Sequence, residues 1–292
     1  MQYFLYIFFL IAVKLIGLLP FKMLYIISDG LSWFLFRVVG YRKSIILNNL
    51  RNSFPDKSAL EIASITRKVY TNISDLLLES IKGFSMRSEE LEARSIVCNP
   101  EILEPYFEKN INIIATPSHY ANWEWSMVTF NKLLKHKSGI VYKPLTNKYI
   151  DAYLLNFRTQ SGSLLVPMNE TRSIFKRNTE TPLAIYLASD QTPSNPKKAT
   201  WLTFFNQNTP CLGGADLFAR VFNLPVFYVD VQRVKRGYYE TTFHLITDKP
   251  KEMEKDGITK LYMQMLEDIV RRKPEDWLWS HRRWKHKYQQ TS

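Results

Sequence analysis

Apolar positions along this chain fall into two regimes. Residues 3–19 (YFLYIFFLIAVKLIGLL) are apolar almost without a break, with Lys14 as the one charge. As a helix rising 1.5 Å per residue this run covers about 26 Å, just short of a typical hydrocarbon core. No basic segment precedes it and no small-residue cleavage site follows it, so it reads as a retained anchor rather than a removed signal peptide. A second apolar stretch, 23–39, holds Asp29 and Gly30 and reads as an amphipathic helix on or under a membrane. Arg37, Arg42 and Lys43 form a basic flank, which predicts the cytoplasmic side for the rest of the chain. A pair of buried core helices is the alternative reading.

Beyond residue 55 the pattern changes. Ser58 followed by Glu61 has the form of a capping box, and apolar residues then recur at three- and four-residue steps (Ile62, Ile65, Val69, Ile73, Leu76), predicting a helix over 59–81. After Gly83 short apolar runs alternate with helical periodicity. Strands are expected at 111–116, 139–142, 163–167, 183–188, 225–231 and 239–246. Helices are expected at 122–134, 147–160, 170–178, 214–222 and 259–272. Such alternation predicts one α/β domain, a mixed and mostly parallel sheet flanked by helices, preceded by an N-terminal membrane helix. The expected division is a membrane segment, 1–45, and a second unit, 46–292.

Charge and cysteine content narrow the partners. Lys and Arg total 39 against 27 Asp and Glu, a formal +12, which favours a polyanionic partner without choosing among nucleic acid, anionic lipid and an acidic protein. Cys98 and Cys211 give no disulfide framework or metal-ligand spacing and read as small buried apolar residues. The five histidines show no ligand spacing either.

Chemistry concentrates at Thr116-Pro117-Ser118-His119-Tyr120-Ala121-Asn122-Trp123-Glu124. Histidine titrates nearest neutrality, and a carboxylate on one ring nitrogen leaves the other free to take a proton. On a uniform helix, residues five apart point about 140° away from each other. His119 and Glu124 therefore meet only if His119 lies in a strand-to-helix turn and Glu124 in the first turn of the next helix. Arg158 ends an expected helix; it either complements the helix dipole or aims at a headgroup phosphate. Asp190-Gln191 ends an expected strand, where Asp190 either pairs with Arg158 across the sheet edge or caps the next turn. Phe204-Phe205 and Gly213-Gly214 either line an acyl groove or, more simply, form a core strand and tight turn. The segment 277–287 interleaves Trp with Arg282, Arg283, Lys and His, which suits a docked segment facing an anionic interface.

Taken in order, these segments resemble the bacterial lipid A biosynthesis acyltransferase family, the lauroyl/myristoyl transferases of the wider HX4D/E lysophospholipid acyltransferase superfamily. The matching residues are Asn49-Leu50-Arg51-Asn52-Ser53-Phe54-Pro55, the HX4E block His119 to Glu124, Arg158 with Gly162, Asp190-Gln191, Gly213-Gly214 and Trp279-Ser280-His281-Arg282-Arg283-Trp284-Lys285. Two departures stand out: the TPSNPKK loop after Gln191, and Asn206 where the family usually has glycine.

The resemblance implies a glycerolipid-acyltransferase-like fold at the bacterial inner membrane, with the catalytic domain on the cytoplasmic side. It implies transfer of a fatty acyl group from acyl carrier protein to a hydroxyl of an anionic lipid A precursor, with no cofactor, no metal and no nucleic acid. His119 becomes the general base and Glu124 its orienting partner. Asn122, Arg158, Asp190, Gln191, Arg282 and Arg283 become substrate-binding residues. A different lipid acceptor on the same fold is the alternative, then a non-enzymatic basic membrane protein.

Overall fold

The computed structural model describes residues 1–287. Among the described residues there are nine strands: β1 (Ser95–Val97), β2 (Ile113–Pro117), β3 (Lys137–Tyr142), β4 (Leu164–Pro167), β5 (Leu183–Tyr186), β6 (Thr200–Phe204), β7 (Gln207–Cys211), β8 (Val226–Lys235) and β9 (Tyr238–Thr247). The first six helices are α1 (Gln2–Leu18), α2 (Phe21–Phe34), α3 (Lys43–Ser53), α4 (Ala59–Gly83), α5 (Ser88–Glu92) and α6 (Glu104–Glu108). The others are α7 (Trp123–Leu133), α8 (Lys148–Gln160), α9 (Thr171–Ile174), α10 (Gly214–Phe222) and α11 (Gly257–Arg272).

Seven strands form one sheet in the order β1-β9-β8-β2-β5-β3-β4, with β6 and β7 as a separate hairpin. Every pairing in the large sheet is parallel except β8 with β9. Alternate residues serve opposite faces, as the pleat requires. On one face Ile113, Ala115, Ala184 and Tyr186 join a core with residues of α4, α7 and α11. On the other, Ile114, Leu183 and Ile185 join Ile174 of α9 and Ala215 and Ala219 of α10. The fold is thus a single α/β domain with a mixed sheet flanked by helices. All six strands and the main helices expected from periodicity are present. The helix expected at 170–178 shortens to one turn, α9.

α4 opens with the full capping box: Ser58 Oγ accepts from Glu61 N, and Glu61 accepts from Ser58 N. Its closing turn fixes the N-terminal helices. Buried Lys82 donates to the carbonyls of Gly17 (3.1 Å) and Leu19 (2.8 Å), which end α1. Gly83 faces Trp125, where a Cβ would stand 2.6 Å from the indole Nε1. α1 also lies against α8 through Tyr3 and Tyr6 on Tyr149 and Phe9 on Tyr153.

The N-terminal expectation changes in one respect. Among the described residues no single helix is long and apolar enough to cross a membrane, and α1 is a short apolar helix. Phe21–Val39 and Lys43–Ser53 pass the same test only as a pair bent by 96°. Much of α1 and α2 is apolar and exposed, including Phe4, Phe8, Ile11, Ile26 and Trp33.

Candidate functional site

His119 stands where the strand-to-helix reading placed it, two residues past β2, with α7 starting at Trp123. Asn122 caps α7, its Oδ1 accepting from Trp125 N at 3.1 Å. Ala121 turns the chain at φ 51°, a left-handed conformation that non-glycine residues seldom adopt. Its N–H donates to Asp276 O, and Leu278 N donates to His119 O.

The partner of His119 is Asp190, not Glu124. Nδ1 of His119 lies 2.7 Å from Asp190 Oδ1, and the His119 backbone N donates to Oδ2 at 2.9 Å. Trp277 Nε1 donates to the same Oδ2 at 3.1 Å. Sheet register explains the pairing. In adjacent parallel strands β2 and β5, Ala115 is opposite Tyr186. Four residues on from that pair, beyond the carboxyl ends of both strands, stand His119 and Asp190. Asp190 is 2% exposed and approaches from behind the imidazole.

Glu124 pairs instead with Arg158, whose Nη2 reaches both carboxylate oxygens at 3.1 and 2.7 Å. The expected pairs, His119–Glu124 and Arg158–Asp190, are therefore exchanged. The first turn of α7 carries Glu124 towards α8 and its Arg158, while the β5 end already fills the space behind the ring. Trp123 packs edge-on against His119, with ring centroids 5.0 Å apart.

A cavity of about 670 Å³ opens over this arrangement, at the carboxyl ends of the parallel strands, the usual ligand position in open α/β sheets. His119, Glu124, Arg158 and Gln191 line it, together with Met127, Tyr142 and Leu212. A second cavity of about 320 Å³, walled by Ile73, Leu76, Leu77, Phe84, Val128 and Phe157, lies alongside. Trp123, Glu124, Leu154 and Arg158 face both, so the ion pair stands on the partition between them.

Desolvation pulls the His119 pKa down, but the Asp190 carboxylate outweighs it by charge and hydrogen bond, with Glu124 adding. The net result is a pKa above the ordinary 6.5. Burial alone would raise Asp190; the charge of His119 and the donors around the carboxylate hold it below the usual range. With Asp190 accepting from Nδ1–H, Nε2 is the ring nitrogen available to take a proton. His281, whose Nε2 accepts from Thr192 N at 3.0 Å, is held neutral by burial, its pKa lowered to about 4.

The other expected site residues divide. Asn122 is fully buried, with its amide committed to the α7 cap and to Glu79, and does not reach the cavity. Arg283 is 1% exposed and donates to Pro210 O and Cys211 Sγ, so it fastens the β6–β7 hairpin rather than meeting a ligand. Arg282 is exposed and does not line this cavity. The Trp cluster turns inward: Trp277 and Trp279 are buried in the core instead of facing an interface. Phe204 and Phe205 are core residues as well, as the simpler reading held. The departure at Asn206 closes a hairpin turn with φ 49° at Phe205 and 58° at Asn206. Of the cysteines, Cys211 is buried as expected but Cys98 is exposed, just past edge strand β1.

Sequence reasoning missed the role of Trp277 and the whole of Glu79; Trp277 stood within a cluster already singled out, whereas Glu79 carried no signal. Among the described residues no group of three or more His, Cys, Asp or Glu side chains could hold a metal ion.

A search of curated proteins found no significant match. The sequence profile of the family described as "Bacterial lipid A biosynthesis acyltransferase" matches residues 1–286, essentially the whole length. With a histidine and a buried carboxylate at the strand ends and a cavity of about 670 Å³ above them, this chain belongs to the bacterial lipid A biosynthesis acyltransferase family.

Proposed function

We propose that this protein moves a fatty acyl group from an acyl-carrier-protein thioester to a hydroxyl of a lipid A precursor at the cytoplasmic face of the inner membrane. The observation that carries the reading is the His119–Asp190 pair at the cavity floor, with one ring nitrogen left for substrate. In the reaction, Nε2 of His119 takes the proton of the acceptor hydroxyl as its oxygen attacks the thioester carbonyl. The C–O bond forms and a tetrahedral oxyanion results. Collapse breaks the C–S bond, and the departing thiolate recovers the proton from Nε2. Asp190 holds the tautomer throughout and stabilises the imidazolium, in the manner of other histidine–carboxylate pairs. Glu124 and Arg158 position the acceptor: Glu124 takes a sugar N–H or O–H, and the Arg158 donors not used by Glu124 take a phosphate oxygen. The apolar second cavity suits the acyl chain.

The exposed apolar faces of α1 and α2, flanked by Lys14, Lys22, Arg37 and Lys43, suit partial immersion in an anionic leaflet. The excess of basic residues likewise suits an acidic carrier protein.

The test is purified protein with acyl-carrier-protein thioesters of graded chain length and a panel of lipid acceptors, read by mass spectrometry. Acylation of the lipid A precursor, abolished in His119→Ala, supports the reading. Transfer only to phospholipids or aminolipids would reassign the acceptor, and undiminished transfer by His119→Ala would remove the general base.

A further inference from the structure

The turn that carries the histidine is held by a carboxylate that lines neither cavity. Glu79, in α4, is fully buried. Tyr25 of α2 donates to its Oε1 at 2.8 Å, while Tyr239 of β9 and Asn122 Nδ2 (2.9 Å) donate to Oε2. Its backbone carbonyl accepts from Trp125 Nε1 at 3.0 Å. One residue of α4 thus grips the first turn of α7 at two points and ties it to α2 and β9.

The polarity of the Asn122 contact matters. An amide can be turned either way round, and either end can reach a polar neighbour. A carboxylate flanked by tyrosine hydroxyls takes the NH2 end, which sends Oδ1 to the Trp125 N–H and caps α7. The cap offsets the strained, left-handed backbone at Ala121. α7 begins one residue after Asn122, and Glu124 and His119 lie within three residues on either side.

We propose that Glu79 is a positioning residue for the catalytic turn, acting through Asn122 to fix where α7 begins and therefore where His119 and Glu124 stand. The inference rests on the acyl-transfer reading above. Glu79 touches no substrate; its effect is geometric, and displacements near 1 Å at a reacting centre cost on the order of 100-fold.

The test reverses the polarity of the contact. In Glu79→Gln, an NH2 group competes with the donors around it; in Asn122→Asp, two carboxylates face each other. In the double variant the new amide at position 79 donates to an aspartate at position 122, which remains as good a helix cap as asparagine. Activity is measured with the acyl-carrier-protein thioester and lipid acceptor that the unmodified protein turns over fastest in the panel above, beside a melting curve for each variant. Each single change is expected to lower kcat about tenfold or more with KM for the thioester within about twofold. The double variant is expected to return to within about threefold of the unmodified protein.

Should Asn122→Asp fail to fold, Asn122→Ser keeps a capping oxygen but replaces the NH2 group that reaches Glu79 by a hydroxyl on a shorter side chain, which cannot stand in both places, and the same loss of kcat is expected. Glu79→Gln at full kcat, or a double variant no faster than the slower single, overturns the inference. A merely structural role would lower the melting temperature and leave kcat of the folded fraction unchanged. His119→Ala runs alongside: if it retains activity the acyl-transfer reading fails, whereas an inactive His119→Ala with a fully active Glu79→Gln removes only the role given to Glu79.

Discussion

Replacing Asp190 by Asn distinguishes the observed pairing from the one a linear motif suggests. Oδ2 of Asp190 receives two obligatory donors, the His119 backbone N–H and the Trp277 indole N–H, whereas Oδ1 faces only Nδ1 of the imidazole. An asparagine has one oxygen, and those two donors claim it. Its NH2 group then lies against Nδ1 and donates to it, which forces the ring proton onto Nε2. In that tautomer Nε2 cannot accept a proton from an alcohol. In the Ser-His-Asp template the corresponding change lowers kcat by about 10⁴, or about 5.4 kcal/mol of transition-state stabilisation. The same order is expected here, with little change in melting temperature because every polar atom keeps a partner. Turnover of acyl-carrier-protein thioester, measured beside Glu124→Gln, provides the assay. Asp190→Asn within about tenfold of the unmodified protein, with Glu124→Gln losing three to four decades, would refute the pairing and restore Glu124 as the orienting group.

Further outcomes are expected for His119, for Arg283 and for the exposed face of α1. The acid limb of kcat/KM should lie above pH 6.5, because His119 must be neutral to act and its pKa is raised; Asp190→Asn should move the limb down, as pH–rate profiles will show. By linkage, a raised folded pKa means His119 adds stability below its unfolded pKa, and this is lost as pH rises through the folded value. Arg283→Ala should cost about 2–4 kcal/mol in denaturant unfolding, since it leaves a void and an unpaired Pro210 carbonyl, while Arg282→Ala on the surface should fall within about 0.5 kcal/mol. Phe8→Asp, on the exposed face of α1, should weaken flotation with anionic vesicles about tenfold or more, since burying one large apolar side chain contributes about 1.5–3 kcal/mol.

The fold was largely legible because its strands are short apolar runs and its helices keep their period. The turn at His119 was legible because the run ending at Pro117 gives way to Asn122, a good helix cap. The His119–Asp190 pair was not. It is made by the register of β2 on β5, between residues 71 apart in sequence, and a linear motif offers only near neighbours such as Glu124. Arg283 misled for another reason. Basic residues among tryptophans read as an interface, and only the β6–β7 hairpin, hidden in a stretch with little periodicity, supplies the carbonyl that draws this guanidinium inside. β1, three residues on the sheet edge, leaves no periodic trace.

The bare backbone at Gly83 reaches further than its size implies. With a hydrogen where every other residue carries a side-chain carbon, α4 and α7 come close enough for an indole on one to bond a carbonyl of the other. Alanine at this position would wedge the two helices apart, shift the start of α7, and so slow the chemistry from a place no substrate ever visits.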